Sequence, residues 1–89
     1  MIWNKSFWVS DTEPESLKAK YSNYLTEAGF TILDHIEHSF DPYGYTVVFL
    51  LAESHLAIHT FPEEGKTYIE LSSCVESKFD NFITIVQPT

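Results

Sequence analysis

A cluster of titratable and hydroxyl side chains follows an apolar run in the middle of the sequence. The apolar run is YTVVFLLA, residues 45–52, and the segment ESHLAIHTFPEE comes directly after it. Six side chains of that segment can carry protons or act as nucleophiles: Glu53, Ser54, His55, His59, Thr60 and Glu63. Histidine titrates near neutral pH, and hydroxyl groups can attack carbonyl carbons, so this cluster suits acid–base or nucleophilic chemistry. The competing interpretation is an ordinary strand end that meets solvent.

Taken one by one, the residues leave several chemistries open. His38, His55 and His59 could in principle bind zinc, but no fourth ligand follows at a recognisable spacing, and we expect no metal site. Ser54, His59 and Asp34 could form a hydrolytic triad, but the G-x-S-x-G segment that exposes such a serine is absent. The residues alone therefore predict a polar cluster without fixing its reaction.

The composition limits the class of partner. The chain has 89 residues, 5 of them basic and 13 acidic, with a formal charge of −8 and no arginine. Nucleic-acid binding needs clustered Lys and Arg, so we expect no nucleic-acid partner. The acidic balance suits a cationic ligand weakly. A chain of this length has a thin core, which favours association with a second copy.

The single cysteine, Cys74, excludes an internal disulfide and is typical of a reducing compartment, so we expect a cytoplasmic protein. A lone cysteine is most often a small buried apolar residue, and it becomes a reactive thiol only in a polar, partly exposed site. No apolar run approaches the length of a membrane span, and we expect no membrane partner.

Helix signals lie between residues 12 and 29. Thr12 is a candidate N-cap, with Pro14 in the first turn, Glu15 three residues after the cap, and Gly29 as the stop. The apolar positions between them recur at helical spacing: Leu17, Tyr21, Tyr24, Leu25 and Ala28.

Extended patterns cover residues 2–9, 30–40, 45–52, 55–61 and 66–74, with DPYG and PEEG as turns. In the tail, ESKFDNF predicts a turn or two of helix and FITIV a last short strand. These elements predict a single α+β domain over residues 1–89, a two-layer sandwich with a mainly antiparallel sheet and a helix packed on one face.

Three motifs at fixed spacing resemble the bacterial and archaeal S-adenosylmethionine decarboxylases. HSFDPYG, residues 38–44, matches the family pattern H-x-F-x-P-x-G, and ESHLAIHTFPE, residues 53–63, matches E-S-H-x-x-I-H-T-x-P-E. Cys74 follows Ser54 by twenty residues, as the family's cysteine follows its serine.

This resemblance implies a self-processing, pyruvoyl-dependent decarboxylase with a small-molecule substrate, S-adenosylmethionine, which supplies the aminopropyl donor for spermidine synthesis. Ser54 would attack the carbonyl of Glu53, cut the chain into a β chain (residues 1–53) and an α chain (residues 54–89), and become a pyruvoyl group. That carbonyl would form a Schiff base with the substrate amine and accept the electrons released with CO2, without a metal.

The resemblance also implies roles for other residues. His59 would move protons during processing, and Thr46, where the family usually has serine, would assist it. Cys74 would protonate the substrate carbon after decarboxylation. In substrate binding, Phe40 would stack on adenine, Glu63 would hold the ribose hydroxyls, and Phe61 stands where the family usually has tryptophan.

A homodimer is implied as well, since the family builds each active site from two related copies. Ser54 and Cys74 would come from one protomer. The partner would supply the remaining residues: Phe40, Thr46, His59 and Glu63.

The chain departs from the family at the thiol, where the usual T-C-G is Ser73-Cys74-Val75. Such departures leave two alternatives open: a pyruvoyl-dependent ornithine or arginine decarboxylase, and a non-catalytic homologue that regulates a partner enzyme. Ser54, His59 and Cys74 together argue against the second alternative, because a regulatory subunit needs none of them.

Overall fold

In the computed structural model, which describes residues 1–87, the chain forms a five-stranded antiparallel sheet covered on one face by two α-helices. The strands are β1 (Trp3–Val9), β2 (Ile32–Ser39), β3 (Tyr45–Leu51), β4 (Ser54–Phe61) and β5 (Lys66–Ser73), in the order β1-β5-β4-β3-β2. The helices are α1 (Pro14–Ala28) and α2 (Glu76–Val86), and a 3-10 turn spans Pro62–Glu64. The predicted α+β sandwich is confirmed.

The two faces of the sheet differ in what covers them. Side chains alternate along each strand, and in β3 Val47 and Phe49 lie under the helices while Leu50 remains 53% exposed on the opposite face. Residues of α1, α2 and the three inner strands form one core, including Leu17, Leu25, Phe82, Val47, Phe49, Leu56, Ile58, Ile69 and Leu71. We call the opposite, helix-free side the open face.

The first helix follows its predicted bounds closely. Leu17, Tyr21 and Leu25 are buried, as the spacing predicts, and Gly29 closes the helix with a φ of 101°. The predicted cap is wrong by one position: Glu13 is the N-cap, and its carboxylate accepts from the Glu15 N–H. Thr12 lies outside the helix.

The second helix corrects the prediction for the tail. FITIV is not a strand, because α2 continues through Val86. β-branched residues favour strands, but the apolar positions also repeat at helical spacing, and packing decides between the two. Phe82 is fully buried, and Phe79, Ile83 and Val86 pack against the core beside it. Neither helix in residues 1–87 is long and apolar enough to cross a membrane.

Candidate active site

Two groups of candidate functional side chains lie at opposite ends of β4. The Ser54 group consists of Ser54, Ser73 at the end of β5, and Cys74, the residue that follows β5. The His59 group consists of His59 and its neighbours across the sheet and in the β2–β3 loop, Thr46, Tyr68, His38 and Phe40. Both groups contain residues predicted from the sequence.

The Ser54 group forms because β4 and β5 are joined by a tight turn that pairs Ser54 directly with Ser73. The Ser54 hydroxyl donates to Ser73 Oγ at 3.2 Å, and the Cys74 N–H donates to Ser54 Oγ at 3.4 Å. Ser73 is 1% exposed, whereas Cys74 is exposed. The predicted nucleophile and the predicted thiol residue therefore lie side by side.

The residue before Ser54 has an unusual backbone conformation. Ala52 and Glu53 form a two-residue turn between the paired residues Leu51 and Ser54, and Glu53 has a φ of 62°. A side chain with a Cβ disfavours this left-handed region, so the predicted cleavage bond begins at a strained residue. The turn is anchored by the Ala52 N–H, which donates to the Thr31 carbonyl at 3.1 Å.

At the other end, Thr46 and His59 are direct neighbours across β3 and β4. Thr46 Oγ1 and His59 Nδ1 are hydrogen-bonded at 2.9 Å, and the His59 ring stacks on Tyr68 with centroids 6.3 Å apart. These contacts fix the imidazole ring and leave Nε2 as its second nitrogen for proton transfer.

Phe40 lies beside this pair, next to His38, with ring centroids 4.6 Å apart. It is half exposed and lines a shallow cavity of about 190 Å³ that Thr46 and His38 also line. Glu37 borders the same cavity. The hydrogen bond from the Tyr45 hydroxyl, which has the largest effect, and the one from Lys18 lower the pKa of Glu37 to about 2.

An aromatic cluster that we did not predict extends the His59 group along the open face. Trp8 contacts Phe61 and Tyr68, with ring centroids 5.9 Å and 5.3 Å apart, and the Lys66 ammonium lies 4.4 Å from the Trp8 ring. Phe61 therefore packs among aromatic rings, while Glu63 lies exposed in the 3-10 turn that follows it. Trp8 lies beside Tyr68 because the two residues are paired in the register of β1 and β5.

The two groups do not meet within one chain. Ser54 and His59 are five residues apart on β4, about 17 Å at the rise of an extended strand, and an odd spacing puts them on opposite faces. A triad of Ser54, His59 and Asp34 therefore does not form within one chain.

The histidines considered as zinc ligands are also separated along β4. His55 and His59 are about 13 Å apart at the rise of an extended strand. Among residues 1–87, no group of three or more potential ligands is placed to hold a metal ion.

Comparison with solved structures places the fold among the adenosylmethionine decarboxylases. The adenosylmethionine decarboxylase of Aquifex aeolicus VF5 superposes with a TM-score of 0.69 over 99% of this chain and 79% of that one, at 26% identity.

Sequence comparison then defines the family. The family model described as S-adenosylmethionine decarboxylase matches residues 11–88. The S-adenosylmethionine decarboxylase proenzyme of Thermotoga maritima is 44% identical over 64 residues, which cover 72% of this chain and 45% of that protein. The proenzyme of Parasynechococcus marenigrum is 43% identical over 58 residues, covering 65% and 45%. The chain belongs to the S-adenosylmethionine decarboxylase family, and it spans about half the length of the first curated relatives it matches.

Proposed function

We propose that the protein is a self-processing, pyruvoyl-dependent decarboxylase of S-adenosylmethionine. The observation that carries the proposal is the Ser54 hydroxyl, held by two hydrogen bonds directly after the left-handed residue Glu53. Relatives named as proenzymes support a chain that must be processed. In the proposed reaction the Glu53–Ser54 bond is cut, which gives chains of residues 1–53 and 54–89.

Ser54 and Cys74 have separate tasks in this proposal. Ser54 Oγ attacks the Glu53 carbonyl carbon, and the C–N bond between the two residues breaks, which leaves an ester. Elimination expels the Glu53 carboxylate and leaves a dehydroalanine at position 54, whose imine tautomer is hydrolysed by water to a pyruvoyl group and ammonia. The pyruvoyl carbonyl would supply the electron sink for loss of CO2. Cys74 then donates the proton that the decarboxylated carbon needs, a role that its exposed position beside Ser54 supports.

The His59 group supplies proton transfer and substrate contacts from a second copy of the chain. Because Ser54 and His59 are about 17 Å apart in one chain, a site that uses both needs two protomers. A two-fold axis that lies between two stacked open faces, perpendicular to β4, would place the Ser54 end of β4 in one chain over the His59 end of β4 in the other. The partner's His59 would then approach the Glu53–Ser54 bond at the end of the sheet, from the side opposite the Ser54 hydroxyl. Phe40, Phe61 and Glu63 are then available to bind the nucleoside from the partner's side. The free thiol of Cys74 supports a cytoplasmic location.

Intact-mass spectrometry of the purified protein tests the cleavage. We expect two chains that end at Glu53 and begin at a pyruvoyl group derived from Ser54, while the Ser54→Ala variant stays at full length. Persistence of a single full-length species in the wild type after long incubation would exclude the proposed processing. Cutting of the Ser54→Ala variant would assign it to another bond.

Release of labelled CO2 from the cleaved protein tests the substrate. S-adenosylmethionine, ornithine and arginine are supplied in parallel, and we expect release from S-adenosylmethionine alone. A Cys74→Ala variant is expected to be cut normally and to turn over at least tenfold more slowly, as loss of a general acid predicts. A fully active Cys74→Ala variant would remove this thiol from the mechanism.

A further inference from the structure

We propose that Ser73 is a positioning residue that orients the Ser54 hydroxyl for attack on the Glu53 carbonyl. The inference rests on the self-cleavage proposed above, and it assigns a role to a residue that the sequence patterns left without one. Ser73 is directly opposite Ser54 in the register of β4 and β5, on the face that the helices cover. It is 1% exposed, so its hydroxyl is shielded from solvent.

The Ser73 hydroxyl makes three hydrogen bonds, and each uses a different part of the group. A serine hydroxyl has one proton to donate and two lone pairs that accept. Ser73 donates its proton to the Val75 carbonyl at 3.1 Å, and it accepts from the Val75 N–H at 3.0 Å. Its remaining lone pair accepts from the Ser54 hydroxyl at 3.2 Å. Ser54 must therefore be the donor in its bond with Ser73.

This arrangement determines how the Ser54 oxygen is presented. Its proton points to Ser73 and one of its lone pairs accepts from the Cys74 N–H, so one lone pair remains for the carbonyl. In the attack, a bond forms between Ser54 Oγ and the Glu53 carbonyl carbon, and the bond from that carbon to the Ser54 nitrogen breaks. The hydroxyl proton is finally carried by the released Ser54 amine, so the step is an isomerisation that needs no co-reactant. Ser73 restricts the hydroxyl to one rotamer before this step and is not itself the base.

Ser73 also has a structural role that a test must separate from the proposed one. Its two bonds to Val75 support the start of α2, where Val75 is the N-cap and has no side-chain cap bond. Loss of the hydroxyl therefore weakens both the fold and the hold on Ser54.

A pair of variants of nearly equal volume isolates the hydroxyl. We expect Ser73→Thr, which keeps the hydroxyl, to be cut at close to the wild-type rate, and Ser73→Val to be cut about tenfold more slowly, the effect of one hydrogen bond on a rate. Cleavage is followed by intact mass from the time of refolding. Ser73→Ala, which adds no volume, provides the same comparison if Ser73→Val does not fold.

Thr67→Val is the matched control. Thr67 is another fully buried hydroxyl of β5, and it donates to the Asp11 carbonyl at 2.7 Å, about 20 Å along the strand from Ser73. The control loses a buried hydrogen bond and stability as Ser73→Val does, and it is expected to be cut at the wild-type rate. Thermal unfolding of both variants in the Ser54→Ala background shows how much stability each has lost.

The outcomes distinguish this inference from the proposed function. A wild type that is never cut would overturn the proposed self-cleavage and the inference together. A wild type that is cut, with Ser73→Val or Ser73→Ala cut equally fast, would overturn the role of Ser73 alone. Equal slowing in Ser73→Val and Thr67→Val would assign the effect to lost stability and also contradict the inference.

Discussion

At the scale of single residues, the backbone of Glu53 is the feature most directly connected with the proposed cleavage. Its φ of 62° is a conformation that costs an L-residue roughly 1 kcal/mol, and its side chain is exposed, with no burial to offset that cost. Cutting the bond after Glu53 would release the residue from the turn. We therefore infer that strain at Glu53 favours the formation of the ester.

A Glu53→Gly variant tests this inference, because glycine adopts a positive φ without a steric penalty. We expect cleavage to slow about threefold to fivefold, as relief of about 1 kcal/mol predicts. In the uncut Ser54→Ala background the same change should raise the free energy of unfolding. Intact-mass time courses and urea titrations measure the two effects.

Glu53→Ala is the matched control, since it removes the carboxylate and keeps the Cβ that causes the strain. It is expected to be cut at the wild-type rate. If the glycine and alanine variants are cut at equal rates, strain at this residue has no part in the reaction.

At the scale of elements, the pairing of the site residues could have been predicted from the two tight turns. A two-residue turn at Ala52-Glu53 pairs Leu51 with Ser54, and counting back along the hairpin pairs Thr46 with His59. Counting along β4 and β5 from the turn at 62–65 leads in the same way to Ser54 and Ser73. The strands were predicted without their register, so the pairing of Ser73 with Ser54 was not predicted.

Other parts of the site could not be predicted from local patterns. Trp8 reaches Tyr68 only because β1 pairs with β5, a contact between residues 60 positions apart in the sequence. The helix α2 overrides the strand preference of its β-branched residues because Phe82 fits the core beside Tyr21. Both depend on tertiary packing, which sequence periodicity does not encode.

The connection between β1 and α1 leads to a prediction about pH. Asp11 accepts hydrogen bonds from the Ser16 hydroxyl at 2.6 Å, the Glu13 N–H at 2.9 Å and the Lys20 ammonium at 2.9 Å. Together these bonds lower the pKa of Asp11 to about 2, and the bond from Ser16 has the largest effect. The unfolded value is about 3.9, so this carboxylate stabilises the fold above about pH 4 and loses that effect as the pH falls towards 2.

An Asp11→Asn variant should therefore lose about 1–2 kcal/mol of unfolding free energy at pH 6 and almost nothing near pH 2. Thermal or urea unfolding across this pH range, in the Ser54→Ala background, measures the difference. Asp80→Asn, at an exposed position of α2, is the control and should change stability little at any pH. A loss at Asp11 that is the same at pH 2 and pH 6 would contradict the assigned pKa.

At the scale of the whole molecule, the open face is the surface that the fold leaves without a cover. It exposes apolar side chains on several strands, among them Ile36 at 72%, Leu50 at 53% and Trp8 at 51%. A cavity of about 210 Å³ lies between β2, β3 and β4 on this face, and it is lined by Ile36, Val48 and Leu50 together with Asp34 and His55. An apolar surface of this kind on a small chain favours burial against a second copy.

The proposed dimer predicts that two inactive variants complement each other. Ser54→Ala lacks the nucleophile, and His59→Ala lacks the proposed proton carrier, so each alone should remain at full length. In a mixed dimer, the Ser54 of the His59→Ala chain meets the His59 of its partner. Co-expression should therefore cut the His59→Ala chain and leave the Ser54→Ala chain intact, and about a quarter of all sites should be processed if the chains pair at random.

Intact masses distinguish the two chains, because each carries its own substitution. The control is co-expression of His59→Ala with a chain that carries both substitutions, which offers no complete site and should leave every chain uncut. If the His59→Ala chain also stays uncut beside Ser54→Ala, although the two chains form mixed dimers, the site is not shared between protomers. The separation of about 17 Å between Ser54 and His59 would then mean that His59 has no direct part in processing.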